Sequence, residues 1–255
     1  MTADQYLAFC DEFDLAYTEE QPAFLRKGPV SLCVRIEEQT LDLQMFRKVC
    51  SSELAEAGVR VFLSASPSMA SLHEYRAVVL ATYWSLNMSV LDLGLPAQEM
   101  QFDVVELPVV EPPEELRNVS VVVMDGPFMC IDPFGEQGMS LLGHVTHGMH
   151  GATHGFAPLI PAPLAGDVEQ GVVPDPAVTD IAEFLRTGAS FFHGFERVRH
   201  AGSIFSVRAI FPALQATDGR PSSVRQLDEK VYAVLGGKIP SAIGAARDLM
   251  RLISD

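Results

Sequence analysis

The sequence predicts a mixed fold, α/β plus α+β, in which an α/β domain is interrupted by an antiparallel-sheet domain. Three observations predict it. Strand and helix patterns alternate between residues 29 and 84 and again after residue 230. The middle of the chain carries one strand pattern after another, separated by Pro- and Gly-rich turns, which is the signature of an antiparallel sheet. No internal repeat or low-complexity linker separates these regions, so one domain inserted into another accounts for the order. The outer domain is expected at residues 1–84 and 215–255, and the inserted one, with a helix of its own, at 85–214.

The elements follow in order. Residues 4–16 read as a helix with Tyr6, Phe9, Cys10 and Phe13 on one stripe. Pro29 to Ile36 is rich in Val, Leu and Ile and reads as a strand. Thr40 suits an N-cap, with Asp42 in the first turn. Phe46, Val49, Cys50, Leu54 and Ala57 then recur at the helical period until Gly58, a glycine placed to end the helix. Val59 to Leu63 reads as a second strand, so residues 29–63 are expected to form a right-handed parallel crossover. Tyr75 to Thr82 contains four apolar residues in succession, the mark of a strand buried on both faces. Phe102–Val110, Val119–Met124, Met139–Thr146 and Phe205–Leu214 are further strands. Between the last two, Asp175 is expected to cap a helix with Pro176 at its first position and Val178, Ile181, Leu185, Phe192 and Phe195 as its apolar stripe, despite Gly188 inside. Val231–Leu235 is the final strand. After the turn Gly236-Gly237-Lys238, Pro240 opens a helix whose buried face is expected to be Ile243, Ala246, Leu249, Met250 and Ile253.

Composition narrows the function. The 255 residues are 48% hydrophobic and 20% charged, an ordinary globular balance with enough apolar chain for a core. A net charge of −15 argues against nucleic acid, whose phosphates need Lys and Arg, and against docking on an anionic membrane. The uncharged stretch Gln137–Gly166 is broken by six glycines, three prolines and four histidines, so it reads as a strand and loop and not as a spanning helix. The acidic start carries no signal-peptide pattern, and Cys10, Cys33, Cys50 and Cys130 form no CxxC spacing. Both point to reduced thiols in a cytoplasmic protein.

Four places can carry chemistry. No two glycines lie two positions apart, so the GxGxxG loop that lets backbone amides approach a pyrophosphate is missing. Gly236-Gly237-Lys238-Ile239-Pro240 joins a strand to a helix start, where free N–H groups and the positive helix end suit an anion; a plain strand-to-helix turn has the same composition. Thr217-Asp218-Gly219-Arg220-Pro221 holds an arginine ahead of a proline, suited to a carboxylate or to a simple surface turn. His144, His147, His150 and His154 have a spacing that invites a metal, but no Cys or carboxylate lies among them. A hydrogen-bonded histidine loop is therefore the better reading, and no metal is expected.

Three of these segments, in this order, resemble the flavoprotein superfamily of D-amino-acid oxidase and glycine oxidase. Tyr75–Thr82 is similar to the buried strand that ends near the flavin as Ala-Thr-Gly, with Tyr83 in place of the glycine. Gly219-Arg220-Pro221 is similar to the Gly-x-Arg-Pro turn, with the glycine one place closer. Leu235 to Ile239 is similar to the final strand-to-helix turn beside the isoalloxazine ring. The resemblance covers nearly this whole chain and the later two thirds of a family member. It implies a truncated FAD-binding, Rossmann-like domain interrupted by a substrate domain, with FAD as cofactor and hydride transfer from an amine, amino acid or 2-hydroxy acid. It implies that Thr82, Gly236, Gly237, Lys238 and Ile239 meet the cofactor, that Arg220 holds a small anionic substrate, and that His144 lines the substrate pocket. The absent loop implies a partner chain that supplies the dinucleotide-binding unit, an upstream segment, or a remnant that no longer binds FAD. Set against this reading are a non-catalytic accessory or binding protein that keeps the later part of the fold, and a metal enzyme built on the histidine loop.

Overall fold

The computed structural model describes residues 2–65, 72, 74–124, 128–135, 137–211 and 221–254. They form a mixed α/β architecture with antiparallel sheets, divided into two units that interleave along the chain. One gathers Met1–Arg60, Glu106–Met149 and Pro163–Phe205; the other gathers Val61–Val105, His150–Ala162 and Ser206–Asp255. These units divide the chain at points other than residues 84 and 214.

The first unit opens with helix α1 (Ala3–Glu12). Thr2 accepts from the Gln5 N–H while the Gln5 side chain accepts from the Thr2 N–H, a reciprocal cap that satisfies two otherwise orphaned donors. The helix ends earlier than residue 16, with Phe13 as its C-cap and Asp14 at φ +51°. Strands β1 (Tyr17–Glu19) and β2 (Val34–Ile36) pair antiparallel. Helix α2 (Leu43–Glu56) is capped by Asp42, whose carboxylate accepts from Gln44 N and Met45 N; Thr40 plays no part in the cap. Gly58 follows at φ +71°.

The parallel crossover expected over residues 29–63 is not formed. β2 spends its hydrogen bonds on β1, close by in sequence, and no strand forms over Val59–Leu63. β-Branched content makes a segment fit for a sheet, but a strand exists only where a neighbour takes its hydrogen bonds.

The main sheet of this unit runs β5-β6-β7-β4-β10-β9. β5 (Val121–Val123), β6 (Met129–Phe134) and β7 (Met139–His144) form an antiparallel meander. β7 pairs through Val109↔Leu141 with the second half of β4 (Met100–Glu111). The first half of β10 (Arg199–Ile210) pairs with β9 (Val172–Val173). Leu25, Val110, Leu116, Met129, Ile131, Leu142, Phe184, Phe192 and Phe195 form the core. Each such side chain contributes about 1.5–3 kcal/mol when fully buried.

Helix α4 (Ile181–Phe191) starts at Asp180 and not at Asp175. Glu106, buried on β4, fixes that start. Its carboxylate accepts from Thr179 Oγ1 at 2.5 Å, from Asp180 N at 3.0 Å and from Ser203 Oγ at 2.6 Å. A carboxylate carried by a distant strand therefore caps the helix start together with Thr179, whose Oγ1 accepts from Ile181 N at 3.1 Å.

In the second unit, β12 (Val231–Leu235) lies between β11 (Ser223–Asp228), antiparallel to it, and β3 (Val78–Leu80), parallel to it. β3 is shorter than expected and not buried on both faces, for Val79 is 40% exposed. Helix α3 (Leu86–Asp92) follows β3 after a single turn. Asn87, buried on α3, clasps Gln98 through both backbone groups, donating to its carbonyl and accepting from its N–H. β8 (Met149–Gly155) pairs with β4, so the glycine-rich stretch expected to be loop is a second strand after β7. Helix α5 (Ser241–Ser254) is the last described element. Its expected buried face is corrected: Ile243 is 65% and Met250 58% exposed, and Ala245 is the residue it buries.

No helix among the described residues is long and apolar enough to cross a membrane. All four cysteines are free thiols.

Candidate functional site

The sequence-predicted residues fall in three places. Thr82 and Gly236–Ile239 belong to the second unit, and His144 to the first. Arg220 lies outside the described residues.

Thr82 and Gly236 both come just after strands that pair in parallel. β3 and β12 run parallel with Leu80 opposite Ala233. β3 stops at Leu80 and β12 at Leu235, so Thr82 and Gly236 each follow the same end of this parallel pair. Gly236 is exposed, and a Cβ there would meet nothing closer than Ser241 Oγ at 3.8 Å. Its φ is not in the left-handed range. Neither conformation nor packing among the described residues therefore requires a glycine here, and the position is open to solvent. Ser241 N and Ser241 Oγ both donate to the Lys238 carbonyl, and Ala242 N donates to that of Ile239. No backbone acceptor among the described residues takes the N–H of Gly237, Lys238 or Ile239. The loop thus offers three amides and the Lys238 ammonium at the opening of a 14-residue helix.

Tyr83 sharpens the comparison with a glycine-ended strand. It adopts φ +51°, a left-handed conformation that costs a residue with a Cβ about 1–2 kcal/mol. The backbone here keeps the shape a glycine would hold, and a tyrosine occupies it. Tyr83→Gly is expected to be about 1 kcal/mol more stable than Tyr83→Ala, the reverse of their order at an ordinary position. Urea unfolding followed through the adjacent Trp84, the chain's one tryptophan, checks it. An alanine variant as stable as the glycine variant removes the strain argument.

His144 ends β7 and is 7% exposed. Its Nδ1 accepts from the N–H groups of Thr146 and His147, both at 3.1 Å, which places the ring proton on Nε2. The ring stacks on His147 at 4.1 Å between centroids and meets Phe184 edge-on. Burial, and then the neighbouring His147 and Arg186, hold its pKa below the usual histidine value. The result is a fixed neutral imidazole, whose Nε2–H has no partner among the described residues. β7 stops at His144, and His147 lies in the turn that follows. No group of three or more potential ligands among the described residues could hold a metal ion. Burial and Asp132 push the Cys130 thiol up to about 12, which removes it as a nucleophile at neutral pH.

Sequence reading missed two polar groups. One is Glu106 with Thr179 and Ser203. The other is Gln101, Asp103 and Arg208. The available signal was the alternation Gln101-Phe102-Asp103-Val104, which sets polar side chains on one face of a strand and apolar ones on the other.

Compared with the models of known protein families and with curated proteins, the chain matches none.

Proposed function

We propose that this chain is the later part of an FAD-dependent oxidoreductase acting in the cytoplasm on a small anionic amine, amino acid or 2-hydroxy acid. The observation that carries the reading is the shared sheet end of β3 and β12. There the Ala81-Thr82-Tyr83 backbone, with its left-handed third residue, leaves one strand and the open Gly236 leaves the other. The pyrophosphate loop is not among these 255 residues, so the reading requires a dinucleotide-binding unit from another polypeptide segment.

FAD held here would supply acceptance of a hydride from a C–H beside nitrogen or a hydroxyl. The chain's own contribution is positioning and charge. The free amides of Gly237, Lys238 and Ile239 and the Lys238 ammonium would favour an acceptor edge that gains negative charge. Gly236 keeps the surface flat enough for a ring to approach. Thr82 offers a hydroxyl, itself paired with Ser89 Oγ at 3.2 Å. Arg220 would hold the substrate's anionic group.

A second reading, a non-catalytic accessory or binding protein that keeps this part of the fold, is favoured by the half-buried Tyr83 ring at the small-residue position. One experiment separates the two. The chain, alone and co-purified with the product of the neighbouring gene, is titrated with FAD and followed by flavin fluorescence and visible absorbance. Saturable binding in at least one sample is expected, weakened by about tenfold or more in Gly236→Val. No flavin in either sample leaves the accessory reading in its place.

A further inference from the structure

On one face of the neighbouring strands β4 and β10 in the second unit, three polar side chains form a group that the flavin reading does not use. Gln101 and Asp103, two residues apart on β4, share a face; Phe102 and Val104 occupy the other. Arg208 is the β10 residue on that face, between buried Val207 and Ala209. Asp103, whose side chain is 0% exposed, accepts from Arg208 Nε at 3.1 Å and Nη2 at 2.7 Å through one oxygen. Its other oxygen accepts from Gln101 Nε2 at 2.8 Å.

Asp103 thereby fixes both partners. It neutralises the guanidinium, so the group as a whole attracts no net charge. It also sets the amide orientation of Gln101, because a flipped amide would point one acceptor at another. Two hydrogen-bonding capacities remain unspent. Gln101 Oε1 is a buried acceptor with no partner among the described residues. Arg208 Nη1 makes no hydrogen bond among the described residues, and its side chain is 28% exposed, so a ligand can reach it. Buried polar atoms without partners are uncommon in folded proteins, and each calls for a cause.

We propose that Gln101, Asp103 and Arg208 form a binding site for a neutral group that donates one hydrogen bond and accepts another, a hydroxyl or primary carboxamide of a small molecule. The ligand would donate to Gln101 Oε1 and accept from Arg208 Nη1. A carboxylate fits poorly: it carries no proton for Gln101, and the charge of Arg208 is already spent on Asp103. The site stands whether or not the chain binds flavin.

The test uses glycolamide, a small neutral molecule with both groups, and acetate as the anionic control. Each is titrated into the isotope-labelled chain, and the side-chain resonances of Arg208 Nε–H and Gln101 Nε2 are followed. Those signals are identified by their loss in Arg208→Lys and Gln101→Leu. A saturable shift of both signals with glycolamide is expected, with acetate at least about tenfold weaker. In Gln101→Leu the glycolamide response weakens by a similar factor, while the Arg208 Nε–H signal stays in its paired position and reports an intact fold. Acetate binding as tightly as glycolamide overturns the proposal. So does the absence of a saturable shift, including the case where a long-lived internal water on the Gln101 amide satisfies Oε1.

Discussion

Replacing Glu106 by alanine is expected to destabilise the first unit by about 3–5 kcal/mol, the largest loss any single polar side chain here should cause. Its carboxylate serves Thr179 Oγ1, Asp180 N and Ser203 Oγ together, and Ser203 passes the network on to His200 Nε2 at 3.0 Å. Truncation leaves the donors around a fully buried position without an acceptor and takes away the anchor for the start of α4. Glu106→Gln keeps the shape and some acceptor capacity, so it should cost about half as much. Urea unfolding by far-UV circular dichroism measures both variants. A loss under about 1 kcal/mol for the alanine variant would mean that water replaces the carboxylate at little cost.

Gly188→Ala is the second large effect, and its sign runs against helix propensity. In an exposed helix the change gains about 1 kcal/mol. Here the added Cβ would lie 2.0 Å from Phe195 Cε1 and 2.4 Å from Cζ. Phe195 is buried in the core with Phe192 and Phe184, so its ring has nowhere to swing. Overpacking of this kind costs about 1–3 kcal/mol, and a net destabilisation of about 2 kcal/mol is expected. Phe195→Leu in the same background should recover part of it, since the clash belongs to the ring edge. A Gly188→Ala variant more stable than the parent would show that the aromatic cluster gives way.

These two positions show what the sequence could convey. Gly188 was visible as an oddity inside a helical stripe, but its reason is an aromatic ring seven residues on, brought back by the turn at Phe195–Arg197. Glu106 gave no local sign at all, because its partners are 73 and 97 positions away. The same distance rule sorts the elements. β4, β5, β7 and β12 announce themselves by apolar runs of their own. β8 is built from Met, Gly, His, Ala and Thr, and β11 alternates polar and apolar residues too weakly to stand out. Val59–Leu63 has the composition of a strand and is not one. Of the candidate site, the positions of Thr82 and Gly236 just after two strands were legible, because each follows a recognisable apolar run. The Gln101–Asp103–Arg208 group was not, since it exists only through the placement of β10 beside β4.

One helix stands apart from all of this. α2 runs for 14 residues and buries none of them; Leu43, Met45, Phe46, Val49 and Leu54 all remain open to water. A helix of that length without tertiary support sits near the coil–helix midpoint, held by its own backbone bonds and the Asp42 cap. Its order is therefore a local equilibrium, uncoupled from the cooperative melting of the sheets. Temperature or salt can shift the population of that segment while the core stays intact, so ellipticity lost at mild conditions would report fraying there and not the onset of global denaturation.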